Sequence, residues 1–109
     1  MMKVKFANGV VKECTAPMEQ KIFKTLEGKT VGTGWVLVLR LTGNITSTEL
    51  DGALTPDSSS TLEFLTTNDK GEDTALFTLE GYNTVTSSTI RHAEDPKAAY
   101  TEIQMSKGV

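Results

Sequence analysis

Short stretches in which polar and apolar residues alternate recur from one end of the chain to the other. The clearest are residues 2–6, near the start, and residues 100–105, near the end. Successive side chains of a β-strand point to opposite faces, so an alternation with a period of two gives each stretch one apolar face. Threonine, which is β-branched and suits a half-buried pleated surface, contributes 17 of the 109 residues. The pattern predicts a mainly β protein.

The length of the chain and the spacing of its turns limit the architecture. A chain of 109 residues is long enough for one domain and too short for two ordinary ones. Turn residues separate about seven extended segments at short intervals, which is typical of small barrels and sandwiches. We expect residues 1–109 to form a single compact domain, a β-barrel or β-sandwich with one or two short helices. The extended segments are 2–6, 10–14, 35–41, 62–66, 74–80, 84–91 and 100–105.

Asn8-Gly9 separates the first two extended segments. Both residues tolerate positive φ, so the dipeptide predicts a β-hairpin at this point. Two registers remain open. A two-residue loop places Lys5 opposite Lys12, which is a like-charge pair, whereas a three-residue loop places Lys3 opposite Glu13.

Helical spacing occurs between this hairpin and the middle of the chain. Met18, Ile22 and Leu26 recur every four residues, as on the apolar face of a helix. This spacing predicts a short helix over residues 18–26, although Ile22-Phe23 also suits a strand. The glycines that follow predict the end of the helix and a mobile loop: Gly28, Gly32 and Gly34.

A second helix is predicted shortly after the middle of the chain. Residues 46–49, Thr-Ser-Thr-Glu, have the spacing of a capping box. Leu50 and Leu54 follow four residues apart. We expect one or two helical turns over residues 47–54, followed by a polar loop at 55–60.

Residues 35–41, Trp-Val-Leu-Val-Leu-Arg-Leu, are nearly all apolar and predict a central strand that is covered on both faces. Arg40 interrupts this segment. A buried arginine would need a carboxylate partner, such as Glu63 or Glu80 on a neighbouring strand. We favour the alternative, in which Arg40 points outward near the end of the strand.

The second half of the chain predicts a meander of strands. Residues 68–73 form a polar turn that contains a glycine, and the strand after it directs Phe77 and Leu79 toward the core. Ser87-Ser88 marks a possible bulge in the following strand. In the last strand, the alternation directs Ile103 and Met105 inward.

Residues with catalytic potential are few. A thiolate nucleophile needs a base within hydrogen-bonding reach, and Cys14 and His92 are the single residues of their kinds. We interpret Cys14 as a small core residue and His92 as a surface residue at a strand end; a hydrolase that uses both is a third-ranked hypothesis. Residues 27–30, 32–34 and 68–73 lack the spacing of phosphate, dinucleotide and calcium loops. We expect no enzymatic activity, no cofactor and no metal.

Charge is distributed unevenly along the chain. Residues 1–29 hold six lysines and three glutamates, whereas residues 30–109 hold five basic and eleven acidic groups. The net charge of −3 does not favour nucleic-acid binding. Complementary patches favour association, so we expect the basic segment to dock on an acidic edge of a neighbour near 69–73 or 94–95. The candidate interface residues are Lys3, Lys5, Lys12, Trp35, Asp69 and Asp73.

The sequence predicts no membrane association and no signal peptide. The longest apolar run, residues 35–39, is far shorter than the roughly 20 residues that a membrane-spanning helix needs. The first residues alternate instead of opening an apolar stretch. With a single cysteine, the chain has no internal disulfide.

Four segments together resemble small proteins from phages and prophages of gut Firmicutes: 3–11, 41–50, 81–92 and 100–105. Many such proteins lie among tail and baseplate genes. The resemblance spans most of the chain and implies a threonine-rich β-domain that works by assembly, located in the bacterial cytoplasm during assembly or in the virion. It carries over no functional residue.

Two functions follow as the main hypotheses. The first is a virion-associated structural or assembly protein that forms a homo-oligomer or binds other virion proteins. Head-to-tail contacts of this kind close into rings when the rotation between copies permits. The second is a monomeric binding module that adapts or inhibits a host protein.

Overall fold

The computed structural model describes residues 1–53 and 60–108, which form eight β-strands and one α-helix. The predicted mainly β fold is confirmed. The number of strands exceeds the expected seven because residues 18–26 form a strand and not a helix. The strands are β1 (Met2–Phe6), β2 (Val11–Glu13), β3 (Met18–Leu26), β4 (Lys29–Thr42), β5 (Thr61–Thr67), β6 (Asp73–Glu80), β7 (Thr84–Arg91) and β8 (Tyr100–Gly108), and the helix is α1 (Ser47–Ala53).

The described strands form two antiparallel sheets of four strands each. The first sheet has the order β2-β1-β5-β6, and the second has the order β3-β4-β8-β7. Both sheets end in free edge strands, so the architecture is an open sandwich and not a closed barrel. At one corner, Cys14 forms an isolated bridge with Leu41 of β4, and the amide of Thr15 donates to the carbonyl of Arg40 at 3.0 Å.

The core lies between the two sheets and is built from alternate residues of their central strands. The expected inward orientation of Ile103 and Met105 is confirmed, since both are fully buried. Leu50 of α1 covers one part of the core. The strand residues of the core cluster are Val4, Phe6, Leu37, Leu39, Leu41, Leu62, Phe64, Ile103 and Met105.

The β1–β2 hairpin has the three-residue register, in which Lys3 lies opposite Glu13. The amide of Gly9 donates to the carbonyl of Phe6 at 2.9 Å, and Gly9 has a φ of 91°. A three-residue loop of this type needs a residue in the left-handed region, and glycine adopts that conformation without steric cost. This register avoids the like-charge pair of Lys5 and Lys12.

The helix predicted over residues 18–26 is wrong, because this segment is strand β3. A spacing of four is also a multiple of two, so Met18, Ile22 and Leu26 share one face of a strand as well as one face of a helix. Glu27 and Gly28 have φ values of 52° and 77° and make the two-residue turn into β4. Two positive φ values in succession are the geometry of a type I′ hairpin turn.

The mobile loop predicted at the glycines is also wrong. Gly32 and Gly34 lie within β4, which continues without interruption from Lys29 to Thr42. A bulge near Lys24 leaves Val31 without a direct partner on β3. The glycines therefore belong to a paired strand, where their small size permits close approach of a neighbouring backbone.

β4 is central in its sheet, as predicted, but it is covered on one face only. Leu37, Leu39 and Leu41 are buried, whereas Arg40 is exposed on the opposite face. The expected outward orientation of Arg40 is confirmed, and its guanidinium pairs with Glu102 of β8 at 2.8 Å. Cross-strand pairing places the two residues directly opposite each other.

The predicted helix cap is confirmed in α1. The amide of Glu49 donates to the hydroxyl of Thr46 at 3.2 Å, as expected of an N-cap residue. Leu54 and most of the predicted polar loop, residues 55–59, lie outside the described residues. No helix in the described ranges is long and apolar enough to cross a membrane.

In the second half, the predicted turn at 68–73 is confirmed by Asn68, whose side-chain oxygen accepts from the amides of Lys70 and Glu72. The bulge in β7 lies at Thr86, one residue before the predicted site. Phe77 stacks on buried Phe64 with 4.8 Å between ring centroids, yet its side chain stays partly exposed because β6 is an edge strand.

Candidate protein-interaction surface

The β3–β4 hairpin extends past the body of the second sheet. Within the described residues, β4 pairs with β8 from Gly34 onward, because Gly34 lies opposite Gly108, whereas β3 pairs with β4 along its whole length. Residues 23–26 and 29–33 therefore form a ribbon of two strands beyond the last residue of β8. We call β3 together with residues 29–35 of β4 the arm. A two-stranded ribbon buries little apolar surface by itself.

The arm leaves the body at a close crossing of two backbones. Gly108 has a φ of 83°, and a Cβ atom added to it would lie 2.7 Å from both the Cα of Gly34 and the carbonyl oxygen of Thr33. Glycine at position 108 satisfies both the left-handed conformation and the close approach. The pairing between β8 and β4 thus extends as far as Gly34, at the base of the arm.

Exposed apolar side chains are concentrated on the arm. Met18, Phe23 and Leu26 are 66%, 60% and 65% exposed. Single exposed apolar residues are normal on a protein surface, whereas a contiguous exposed apolar patch marks an interaction site. Phe23 lies on the same face of the arm as Trp35, and Met18 and Leu26 lie on the opposite face, so both faces carry exposed apolar groups. In the described residues, the large exposed apolar side chains of the arm and of β6 are Met18, Phe23, Leu26, Val31, Trp35, Leu76 and Phe77.

One face of the arm continues the core-facing side of β4. Lys21 lies opposite Trp35, and Phe23 follows two residues later, so the three side chains share a face with buried Leu37. The ammonium group of Lys21 lies 5.7 Å from the centroid of Phe23 and 5.9 Å from that of Trp35. A cation within about 6 Å of an aromatic centroid is attracted to the ring. The ammonium group thus interacts with both aromatic rings, which remain exposed.

A buried tyrosine connects the base of the arm to the body. The Tyr82 hydroxyl donates to the carboxylate of Glu19 at 2.5 Å. The ammonium group of Lys107 lies 4.6 Å from the Tyr82 ring centroid and donates to the carbonyl of Glu80 at 2.9 Å. Burial and the hydrogen bond to Glu19 raise the pKa of Tyr82 above its ordinary value, so the phenol stays protonated.

The edge strands of the two sheets differ in how they are protected from pairing. β2 has only three residues, and β7 is rich in serine and threonine. Both β6 and β7 carry a bulge, at Leu76 and at Thr86, so the bulge does not distinguish them. Short or polar edges resist pairing with another chain. β3 and β6 have nine and eight residues and expose large apolar side chains. These two edges are the candidates for contact with another protein.

The structure distributes the six predicted interface residues over several sites. Lys3 lies 3.7 Å from Asp73, so the structure brings these two together within one chain. Lys12 pairs with Glu49 at 3.2 Å. The remaining three lie apart: Lys5 is exposed on β1, Asp69 is exposed in the β5–β6 turn, and Trp35 lies on the arm of the other sheet.

Several residues of the arm were missed by the sequence analysis. Phe23 and Leu26 were assigned to a helix, and Lys29 to the loop after it. The available signal was Glu27-Gly28 between two segments with β-branched residues, Ile22, Thr25, Thr30 and Val31, which suits a hairpin better than a helix end.

The residues considered for catalysis lie in unlike surroundings. Cys14 is buried, and burial raises the pKa of its thiol from 9.0 to about 11, so the thiol is protonated at neutral pH. His92 is exposed after the end of β7. Within residues 1–53 and 60–108, no cluster of three or more acidic, histidine or cysteine side chains is placed to hold a metal ion.

The site that the geometry defines is therefore a surface and not a pocket. It consists of an arm with exposed aromatic and aliphatic groups and of a second exposed edge, β6, on the other sheet. Such edges offer backbone donors and acceptors to an incoming strand. Comparison of the chain with protein-family models, with curated proteins and with solved structures finds no match in any of the three.

Proposed function

We propose that this protein is a non-enzymatic structural or assembly protein of the phage and prophage type, which acts through protein–protein contacts made by the arm. The observation that carries the proposal is the exposure of Met18, Phe23 and Leu26 on an unpaired strand edge. Covering such apolar surface with another protein removes it from water and is favourable. Its first partner is a further copy of the chain, and the assembled copies bind other virion proteins.

The conformation of the arm supports a functional role for it. Glu27 occupies the left-handed region with a φ of 52°, where residues other than glycine, asparagine and aspartate are uncommon. Strain of this kind, about 1–3 kcal/mol, persists where the surrounding structure requires it and is concentrated at functional sites. A shorter connection between the body strands would avoid both the strain and the exposed apolar groups.

Strand edges also supply a mode of binding that suits assembly. An added strand gains main-chain hydrogen bonds for affinity, and side chains on alternate positions give specificity. β3 presents nine residues for such pairing. The resemblance to phage and prophage proteins supports the same role, and with it we propose a location in the bacterial cytoplasm during assembly or in the virion.

The test is the absolute mass of the protein in solution, measured by light scattering on a sizing column over a range of concentrations and at low and high salt. We expect a mass above the 11.8 kDa of one chain. Phe23→Ser, on the arm, should lower that mass, whereas the matched control Val11→Ser, an exposed apolar residue on β2, should not. A mass of one chain under every condition would contradict the proposal.

The second candidate function is a monomeric module that adapts or inhibits a host protein. One observation favours it: residues 61–80 carry five carboxylates and one lysine, including the exposed turn with Asp69 and Glu72. An acidic surface of this kind suits a basic groove on a partner. This function predicts a monomer that binds a host factor through the turn, and Asp69→Lys would then abolish binding while Phe23→Ser would not.

A further inference from the structure

We infer that the arm of one molecule docks on the β5–β6 hairpin of a second copy of this chain, with β3 of the first copy pairing antiparallel with β6 of the second. This inference rests on the proposed function, because it names the partner of the arm. Two observations carry it: the complementary charges of the two elements and their free strand edges.

The charges of the two elements are complementary. Residues 18–33 carry three lysines and two glutamates, whereas residues 61–80 carry five carboxylates and one lysine. Lys24 and Lys29 lie on either side of the turn at the end of the arm and are exposed. Opposite potentials favour encounter and suppress wrong partners. Two arms that met each other would instead bring together surfaces of the same net sign.

Both elements offer a free strand edge of similar length. β3 lies at one end of the second sheet, and β6 lies at one end of the first, so each pairs with a strand on one side only. Leu76 and Phe77 are exposed in the middle of β6. Pairing of β3 with β6 on either side of the bulge at Leu76 joins the two sheets of neighbouring copies and covers apolar side chains on both partners.

Charge also selects the direction of pairing. In an antiparallel arrangement, the lysine-bearing end of the arm lies beside residues 69–73, where Asp69, Glu72 and Asp73 are close together in sequence. Met18, at the other end of β3, then lies near Glu80. A parallel arrangement would place the lysines beside Glu80 alone and leave the acidic turn without a partner. Antiparallel pairing therefore matches more opposite charges.

The contact uses different surfaces on the two copies, so it is heterologous. Each added copy keeps one arm or one β6 edge free, and the contact repeats until a ring closes or a filament grows. Lys3, Lys12 and Asp73 already form ion pairs within the chain. We therefore assign the charged groups of this contact to Lys24 and Lys29 on the arm and to Asp69 and Glu72 on the β5–β6 hairpin.

The experiment is a charge exchange between the two elements, read out as absolute mass by light scattering. The arm-reversed protein carries Lys24→Glu and Lys29→Glu, and the edge-reversed protein carries Asp69→Lys and Glu72→Lys. We expect each to need at least tenfold more protein than the wild type to assemble. An equimolar mixture of the two proteins, and a single chain with all four substitutions, should both recover assembly.

A control protein with Glu13→Lys and Asp51→Lys has the same charge as the edge-reversed protein and should assemble like the wild type. All substituted side chains are exposed, and circular dichroism establishes that each variant is folded. The milder pair Lys24→Gln and Lys29→Gln should weaken assembly less than the reversal.

Two results would overturn the inference while leaving the proposed function intact. One is an edge-reversed protein that assembles as readily as the wild type while the arm-reversed protein does not, which would place the partner surface elsewhere, as in a symmetric arm-to-arm dimer. The other is failure of both the mixture and the four-substitution chain to recover assembly. A wild-type protein that stays at the mass of one chain would contradict the proposed function itself.

Discussion

Strand β4 passes through two regions of the molecule that differ in burial although its side chains alternate between the two faces of the sheet in both. In the body, Leu37 and Leu39 face the first sheet and are fully buried. On the same face, Thr33 and Trp35 belong to the arm and are exposed. The alternation of β4 is continuous, so what changes between the two regions is the cover and not the strand. The arm thus has a core-type face without a core over it.

Because of this difference in burial, the body and the arm contribute differently to the stability of the fold. Side chains of the body stabilise the fold because their removal opens a cavity between two sheets. Side chains of the arm contribute little to folding and are available for contact with another protein. Single substitutions in the body, in the arm and at the junction between them test this division.

The largest difference is expected between Phe64→Ala and Phe23→Ala. Phe64 is fully buried and stacks on Phe77, so its truncation should lower the free energy of unfolding by about 3–5 kcal/mol. Phe23 is mostly exposed, and its truncation should change that free energy by less than about 0.5 kcal/mol. Urea unfolding of the dilute protein measures both values. Equal losses would mean that the arm is part of the folding core.

The junction between body and arm is tested by Gly108→Ala. The new Cβ would lie 2.7 Å from the backbone of Thr33 and Gly34, so one strand must shift, and we expect a loss of about 1–3 kcal/mol. Gly71→Ala is the matched control, since Gly71 also has a positive φ of 78° but has open space around it. Its loss should be about 1 kcal/mol, from backbone strain alone. Thermal unfolding compares the two, and an equal loss would contradict the close crossing.

Tyr82→Phe tests the hydrogen bond that holds the base of the arm to the body. Loss of the bond to Glu19 should lower stability by about 1 kcal/mol at neutral pH. The pKa of Tyr82 is raised in the folded protein, so its stabilising contribution is complete below pH 10 and declines as the pH rises above that value. Above pH 10 the wild type should therefore lose stability faster than Tyr82→Phe. Parallel pH profiles would contradict this assignment.

The smallest effect at neutral pH concerns Cys14. Burial raises the pKa of its thiol from 9.0 to about 11, so the native protein should react slowly with a thiol reagent at pH 8. The same shift predicts a contribution to stability that is complete below pH 9 and lost as the pH rises toward 11. Cys14→Ala should lack this loss. Rapid modification of the folded protein would contradict the burial of the thiol.

Part of the fold follows directly from local sequence chemistry. The Thr46 cap, the turn at Asn68 and the inward orientation of Ile103 and Met105 depend on neighbours within a few residues, and the structure confirms them. The hairpin at Asn8-Gly9 is predicted in the same way, whereas its register stays open between two alternatives until the structure shows the three-residue loop. Such features are predictable because the energies that decide them are local.

The arm was missed because its determinants are not local. A spacing of four suits a helix and a strand equally, so Met18, Ile22 and Leu26 do not distinguish the two. Whether the face that includes Trp35 is buried depends on where the opposing sheet ends, which the sequence does not indicate. Likewise, the pairing of Lys3 with Asp73 joins residues 70 positions apart and depends on β1 and β6 both flanking β5.

The most direct test of the central claim, that the arm and the β6 edge are contact surfaces, is hydrogen–deuterium exchange at low and high protein concentration. We expect amides of β3 and β6 to become protected as concentration rises, and amides of β7, an equally exposed but polar edge strand, to stay unchanged. Exchange in β3 and β6 that is independent of concentration, or protection that appears in β7 instead, would contradict the account.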